Sequence, residues 1–178
     1  MNIAIGSMVY NIEVLSDTIL KFDGKYYRSS IGENSVSSTK QEGDKTTPIG
    51  SFLLRTCWYR ADRMEKPVTG LPLRIIQPQD GWCDDPDSPG YNRPVTLPFA
   101  ASREQLWRED SIYDIIVPMG YNDEGIAAGK GSAIFFHLAT PDYTPTLGCV
   151  AVAREDMLEI LRHLDSESRI IITSPKLL

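Results

Sequence analysis

The 178 residues include only two histidines and three cysteines, and one of each, His137 and Cys149, has a spacing that suits nucleophilic chemistry. An ordinary thiol is only a few per cent thiolate at neutral pH and needs a neighbouring base or cation to attack a carbonyl. His137 closes the apolar run 131–138, and Cys149 follows twelve residues later, between Gly148 and the apolar Val150-Ala151-Val152. A strand ending in His, a loop, and a strand opening on Cys set an imidazole beside a thiol. Gly148 permits a sharp turn and close approach of a ligand to the backbone. The amides of Leu147, Gly148 and Cys149 then point towards one place, as an oxyanion hole requires. Each side chain alone also fits a core role, His137 bonded to a backbone carbonyl and Cys149 as a small buried hydrophobe. The residues by themselves leave both readings open.

The other members of the set have plainer roles. His163 falls on the polar side of a C-terminal amphipathic pattern and reads as a surface residue, and Cys57 and Cys83 read as small core side chains. Cys and His at these spacings make neither a zinc site nor a disulfide framework, so no metal and no cofactor are expected. Lys and Arg total 18 against 24 Asp and Glu, a net charge of −6. That balance argues against a nucleic-acid partner. No window approaches the roughly 18 apolar residues of a membrane span. Residues 1–20 lack a basic start and an uninterrupted apolar stretch. With three unpaired cysteines this points to the cytoplasm, or to the periplasm if a leader has been removed. A monomer is expected.

The elements that must position the pair are mostly strands. Residues 18–22 and 25–31 flank Asp23-Gly24, a hairpin turn signal. Residues 51–58 follow the turn Thr47-Pro48-Ile49-Gly50 as a strand, 112–119 and 132–138 read as buried strands, and 169–173 as a closing strand. Residues 102–108 are expected to form a short helix behind a Ser cap. Residues 81–98, dense in Pro, Gly, Asp and Asn, are expected to be a long irregular segment. Within it Trp82, Tyr91 and Asn92 are candidates to touch substrate, as are Tyr121 and Asn122 further on. Met157, Ile160, Leu161 and Leu164 follow helical spacing, with Glu155 and Asp156 suited to the first turn. The sum is one β-rich α+β domain over residues 1–178, a bent sandwich with one clear C-terminal helix and one or two short ones.

Two blocks of the chain resemble the L,D-transpeptidase catalytic domain of bacterial peptidoglycan enzymes. His137, Thr146, Gly148 and Cys149 match a His at a strand end followed by Ser/Thr-x-Gly-Cys. Gly43, Asp44, Thr47, Pro48, Gly50 and Phe52 match Gly-Asp-x-x-Thr-Pro-x-Gly-x-Phe. The resemblance spans roughly residues 31–173. It implies Cys149 as nucleophile, His137 as base, and the Leu138 carbonyl as the group that orients the imidazole. It implies attack on the L-centred third residue of a peptidoglycan stem peptide with loss of the terminal D-alanine. The acyl group then passes to an amine, which cross-links, or to water, which trims.

Departures from the family pattern bear on the substrate. Leu147 stands where many members carry a second His, and Val150, Ala151 and Val152 stand where an Arg or Asn is common. Arg154, Arg93 and Lys130 are the candidate cations for a substrate carboxylate, with Thr146 and Leu147 at the rim. The sortases also place a His before a Cys, but end their motif Thr-Leu-x-Thr-Cys, one residue longer than Thr146-Leu147-Gly148-Cys149, and need a downstream Arg. The leaderless start favours an L,D-carboxypeptidase acting on soluble muropeptides. Cross-link formation in the wall is the alternative, and a non-catalytic peptidoglycan-peptide binding module is a more distant one.

Overall fold

The computed structural model describes residues 9–174. Strands β1 (Asn11–Ser16), β2 (Ile19–Phe22) and β3 (Lys25–Ser30) form a meander. Asp23 and Gly24 join β2 to β3 with φ of 46° and 75°, the two positive values a tight two-residue hairpin demands. Short β4 (Val36–Ser37) and β5 (Thr47–Pro48) pair with each other. Then come β6 (Gly50–Leu53), β7 (Cys57–Tyr59), β8 (Leu73–Ile75), β9 (Asp80–Cys83), β10 (Pro94–Thr96) and β11 (Arg103–Gln105). The chain closes with β12 (Ile115–Pro118), β13 (Phe135–Leu138), β14 (Val150–Val152), helix α1 (Arg154–Leu161) and β15 (Arg169–Ile172).

Ten strands make one sheet in the order β6-β15-β1-β2-β3-β14-β13-β12-β7-β8. Apolar side chains of β1, β2 and β15 share one core with those of β12, β13, β14 and α1, so the sheet curls and its two halves face each other. In α1, Met157, Ile160 and Leu161 fill that core at the expected spacing, and Leu164 is also buried. His163 is exposed, its ring against Tyr10 and Phe22.

The central strands are buried on both faces. Alternation along β13 sends Phe136 and Leu138 into the first core and Phe135 into a second core with Trp58, Trp82, Leu106, Tyr113, Ile116 and Cys149. The three-stranded sheet β10-β9-β11 covers this second face.

Three local expectations change here. Residues 102–108 are not a helix: Arg103, Glu104 and Gln105 pair with Cys83, Trp82 and Gly81 of β9, and Leu106 is buried behind them. Helix α1 is the single helix among the described residues, because sheet pairing claimed the other helical candidate. The segment 81–98 is partly regular, holding most of β9 and all of β10. The strand expected over 51–58 breaks at Leu54-Arg55-Thr56. There the chain leaves β15, to which β6 pairs, and joins β12 through β7.

Candidate active site

β13 and β14 run parallel with Phe136 opposite Val150 and His137 opposite Ala151. Cys149 immediately precedes β14 and lies across from Phe135. Its Sγ accepts a hydrogen bond from the Phe135 N–H at 3.3 Å and donates to the Ala133 carbonyl at 3.3 Å. Phe135 and His137 share one face of β13, so the thiol and the imidazole are diagonal neighbours across adjacent strands, a spacing side chains can bridge. Both line a cavity of about 400 Å³.

The imidazole is fixed by its own backbone. His137 Nδ1 donates to the Leu138 carbonyl at 2.8 Å, which leaves Nε2 as the acceptor nitrogen. The Tyr113 ring meets the imidazole edge-on at 5.3 Å between centroids, and Tyr113 Oη donates to Glu104 at 2.9 Å.

Burial sets the charge state. His137 and Cys149 are 5% and 7% exposed. Burial pushes the imidazole down to about 4, against the smaller opposing effect of the Leu138 carbonyl. It pushes the thiol up to about 12, opposed by the Phe135 N–H; the Glu104 charge adds to the rise, and the Lys40 charge, the smallest effect, favours thiolate. The resting pair is a neutral thiol beside a neutral imidazole. Cys57 is likewise pushed up to about 12 by burial, with no polar partner near it.

The turn before Cys149 is held by Thr146. Its Oγ1 donates to the Cys149 carbonyl at 2.7 Å and accepts from the Gly148 N–H at 3.1 Å. That bond corrects one expectation: the Gly148 N–H is engaged by Thr146 Oγ1, so the three amides 147–149 are not equally available. The need for glycine is conformational. Gly148 has φ of +139°, and a Cβ there would stand 2.8 Å from the Thr46 carbonyl oxygen. The Thr47-Pro48 block buttresses the same turn: Thr47 Oγ1 accepts from the Gly32 N–H, and Gly32 bridges to Thr146.

Thr146 and Leu147 line the cavity, Leu147 being 68% exposed at its mouth. The structure does not bring the other substrate candidates there. Arg154 at the start of α1 is paired with the buried Asp114, which also binds Arg63 at 3.0 Å. Arg93 and Lys130 are exposed outside the cavity wall. Tyr121 packs edge-on against Phe52, and Asn122 staples its own loop by bonds to Ala127 and Gly131. These positions failed because sequence spacing does not reveal which face of the curled sheet a loop serves. The cations on the wall are Lys45 and Arg108, paired with Glu33 and Asp110.

Asn92 sits behind the cavity. It is 5% exposed with φ of 53°. Its Oδ1 accepts from Trp82 Nε1 and from the Ala133 N–H, both at 3.1 Å. Its Nδ2 donates to the carbonyls of Tyr121 and Asn122 at 3.1 and 2.8 Å. Ala133, the residue whose carbonyl receives the thiol proton, has φ of 51°, a conformation alanine adopts only when its surroundings impose it. Tyr91 is buried and bonded to Glu42. Trp82, Tyr91 and Asn92 thus lie behind the residues that line the cavity, and the structure does not place them where they would touch substrate. Sequence reasoning missed Tyr113, Glu104 and the buried Lys40; none stands in a pattern that marks it.

Among the described residues no helix is long and apolar enough to cross a membrane, and no group of three or more His, Cys, Asp or Glu side chains is spaced to hold a metal ion. No curated protein matches the chain. Among solved structures, the crystal structure of Mycobacterium tuberculosis L,D-transpeptidase 1 aligns at 11% identity with a TM-score of 0.40, over 94% of this chain. The chain spans 62% of that protein's length in the alignment. The L,D-transpeptidase catalytic domain (YkuD) matches residues 15–172. That match takes in both motif blocks, the strand pair and the turn between them, and by it the chain belongs to the L,D-transpeptidase catalytic domain family.

Proposed function

We propose that the protein is an L,D-carboxypeptidase that trims peptidoglycan stem peptides through a Cys149 thioester. The observation that carries this reading is the placement of Cys149 and His137 on one face of adjacent strands, opening on one cavity. The Cys149 proton passes to His137 Nε2 as sulfur attacks the carbonyl carbon of the L-centred third residue. The Leu147 and Cys149 amides hold the oxyanion. The imidazolium then protonates the departing D-alanine amine, leaving a thioester. Water gives a proton to His137 and its oxygen to the acyl carbon, and the thiol is restored with the carboxylic acid product.

Two observations favour water as the acceptor. The cavity of about 400 Å³ lies at the small end of the roughly 300–1,000 Å³ typical of ligand pockets, which suits one peptide branch better than the two a cross-link needs. Three free cysteines suit a reducing compartment, so we place the enzyme in the cytoplasm, acting on soluble muropeptides. The test is incubation with a disaccharide tetrapeptide and mass analysis of the products. The expected result is tripeptide and free D-alanine from the parent protein and none from Cys149→Ala. Dimeric products in their place would overturn the hydrolase reading in favour of cross-linking.

A further inference from the structure

A further cation stands behind the site, off the cavity wall. Lys40 is 5% exposed, and a fully buried lysine is rare unless paired. Its Nζ donates to Asp44 at 2.8 Å and reaches the Gln41 carbonyl at 3.5 Å. Asp44 in turn accepts from the amides of Gln41 and Thr46, and Lys40 with these amides holds its carboxyl down at about 2 despite burial. The lysine stem runs under Gly131, where a Cβ would come within 2.9 Å of Cε. Its ammonium ends under the catalytic turn, where a Cβ on Gly148 would come within 3.3 Å of Nζ. The two glycines that close on Lys40 belong to the two segments carrying the reaction: Gly131 leads to Ala133 and β13, and Gly148 leads to Cys149.

We infer that Lys40 is a positioning residue of the acyl-transfer site, its buried ammonium placing fixed positive charge behind the Gly148 turn to favour negative charge on the Cys149 sulfur and on the oxyanion. The inference rests on the proposed thioester chemistry. The pair is oriented for this role. Its positive end abuts Gly148, and its negative end is taken up by the amides of Gln41 and Thr46. Because Lys40 is itself buried, its charge acts over a greater range than one at a surface.

The other titratable groups around the thiol are His137 and Tyr113 beside it, and on the cavity wall the carboxyls of Glu42, Asp84 and Glu104 with the paired Lys45 and Arg108. All are unchanged in the variants that test Lys40.

The experiment is the pH profile of iodoacetamide alkylation at Cys149, followed by mass, for the parent, Lys40→Met and Asp44→Asn. It needs no peptide substrate, so it succeeds or fails independently of the proposed function. Removing the ammonium should move the profile up by about one pH unit, a tenfold loss of rate at fixed pH. Neutralising Asp44 unmasks the ammonium and should move it down. A structural role predicts the same direction for both variants, because both break one ion pair. Shifts in the same direction, or no shift in either, overturn the inference. Should Lys40→Met fail to fold, Asp44→Asn carries the test alone, and an upward shift or none overturns it. On the tetrapeptide, Lys40→Met should lower kcat about 10- to 100-fold with KM little changed, the signature of charge that acts in the transition state.

Discussion

Asn92→Ala should damage the nucleophile without touching it. The side chain receives two buried donors, Trp82 Nε1 and the Ala133 N–H, and gives two to the carbonyls of Tyr121 and Asn122. Truncation leaves the two donors unpaired at positions 9% and 7% exposed. A buried donor stripped of its acceptor costs about 1–3 kcal/mol. Alanine must also hold the φ of 53° that Asn92 adopts, which costs about 1 kcal/mol more than asparagine does there. The total is about 5 kcal/mol, a large share of the roughly 5–15 kcal/mol that holds a domain folded. Ala133 is itself left-handed, and its carbonyl receives the thiol proton. Releasing its N–H therefore lets that carbonyl move and frees the Cys149 sulfur. Urea unfolding followed by tryptophan fluorescence measures the first effect, and iodoacetamide alkylation of the native protein measures the second. Asn92→Asp sharpens the test. It keeps the acceptor for Trp82 and Ala133, but at neutral pH it turns an oxygen towards the two carbonyls that Nδ2 now serves. It should be nearly as destabilising at pH 7 and recover in acid, where the carboxyl regains a proton to donate. An alanine variant within about 1 kcal/mol of the parent, with unchanged alkylation, would refute the claim that Asn92 holds the site together.

Two further outcomes are expected. Gly148→Ala puts a Cβ 2.8 Å from the Thr46 carbonyl oxygen and 3.2 Å from Ile134 Cδ1. The turn must shift, and tetrapeptide turnover should fall about 100- to 1000-fold, as for loss of an oxyanion donor, with circular dichroism unchanged; near-parental turnover would remove the turn from the mechanism. Acid should destabilise the fold through His137, because its value falls from an ordinary 6.5 to about 4 on burial. The unfolded chain then binds the proton more readily, so this contribution is intact above pH 6.5, declines as pH falls, and is spent below pH 4. The loss is on the order of 3 kcal/mol. Unfolding curves across that window should show it in the parent and not in His137→Gln.

The segments that carry the proposed nucleophile and base were legible because their chemistry and their geometry are written in the same few residues. His137 at the end of an apolar run, Gly148 before Cys149, and Thr146 two residues before that glycine are each required by a short-range constraint, so local spacing reveals them. The β-rich class and α1 were legible for the same reason, through turn dipeptides and the 157, 160, 161, 164 periodicity. The cavity wall was not. Glu104 reaches the cavity, and Asn92 the layer behind it, only because β9 and β11 fold over the second face of the sheet, while Tyr113 arrives on the lead into β12. No local pattern encodes which loop lands there. Residues 102–108 show the same effect from the other side, for a sequence with helix signals becomes a strand once β9 offers it a partner. Lys40 hides most completely. In sequence it is one more polar residue in a polar loop, and only the closure of Gly131 and Gly148 around it makes it a buried charge.

The acid–base state of the pair then explains why such a charge is useful. Burial pushes the thiol up to about 12 and the imidazole down to about 4, so in the empty site both shifts favour neutral thiol and neutral imidazole over the thiolate–imidazolium pair. Proton transfer must accompany carbon–sulfur bond formation, so that negative charge passes through sulfur to the carbonyl oxygen as it appears. In the proposed reaction it is met by the Leu147 and Cys149 amides in front and the Lys40 ammonium behind. A site built this way holds its cysteine inert towards stray electrophiles and oxidants until a carbonyl is seated, which suits an exchange-prone thiol that must survive between substrates.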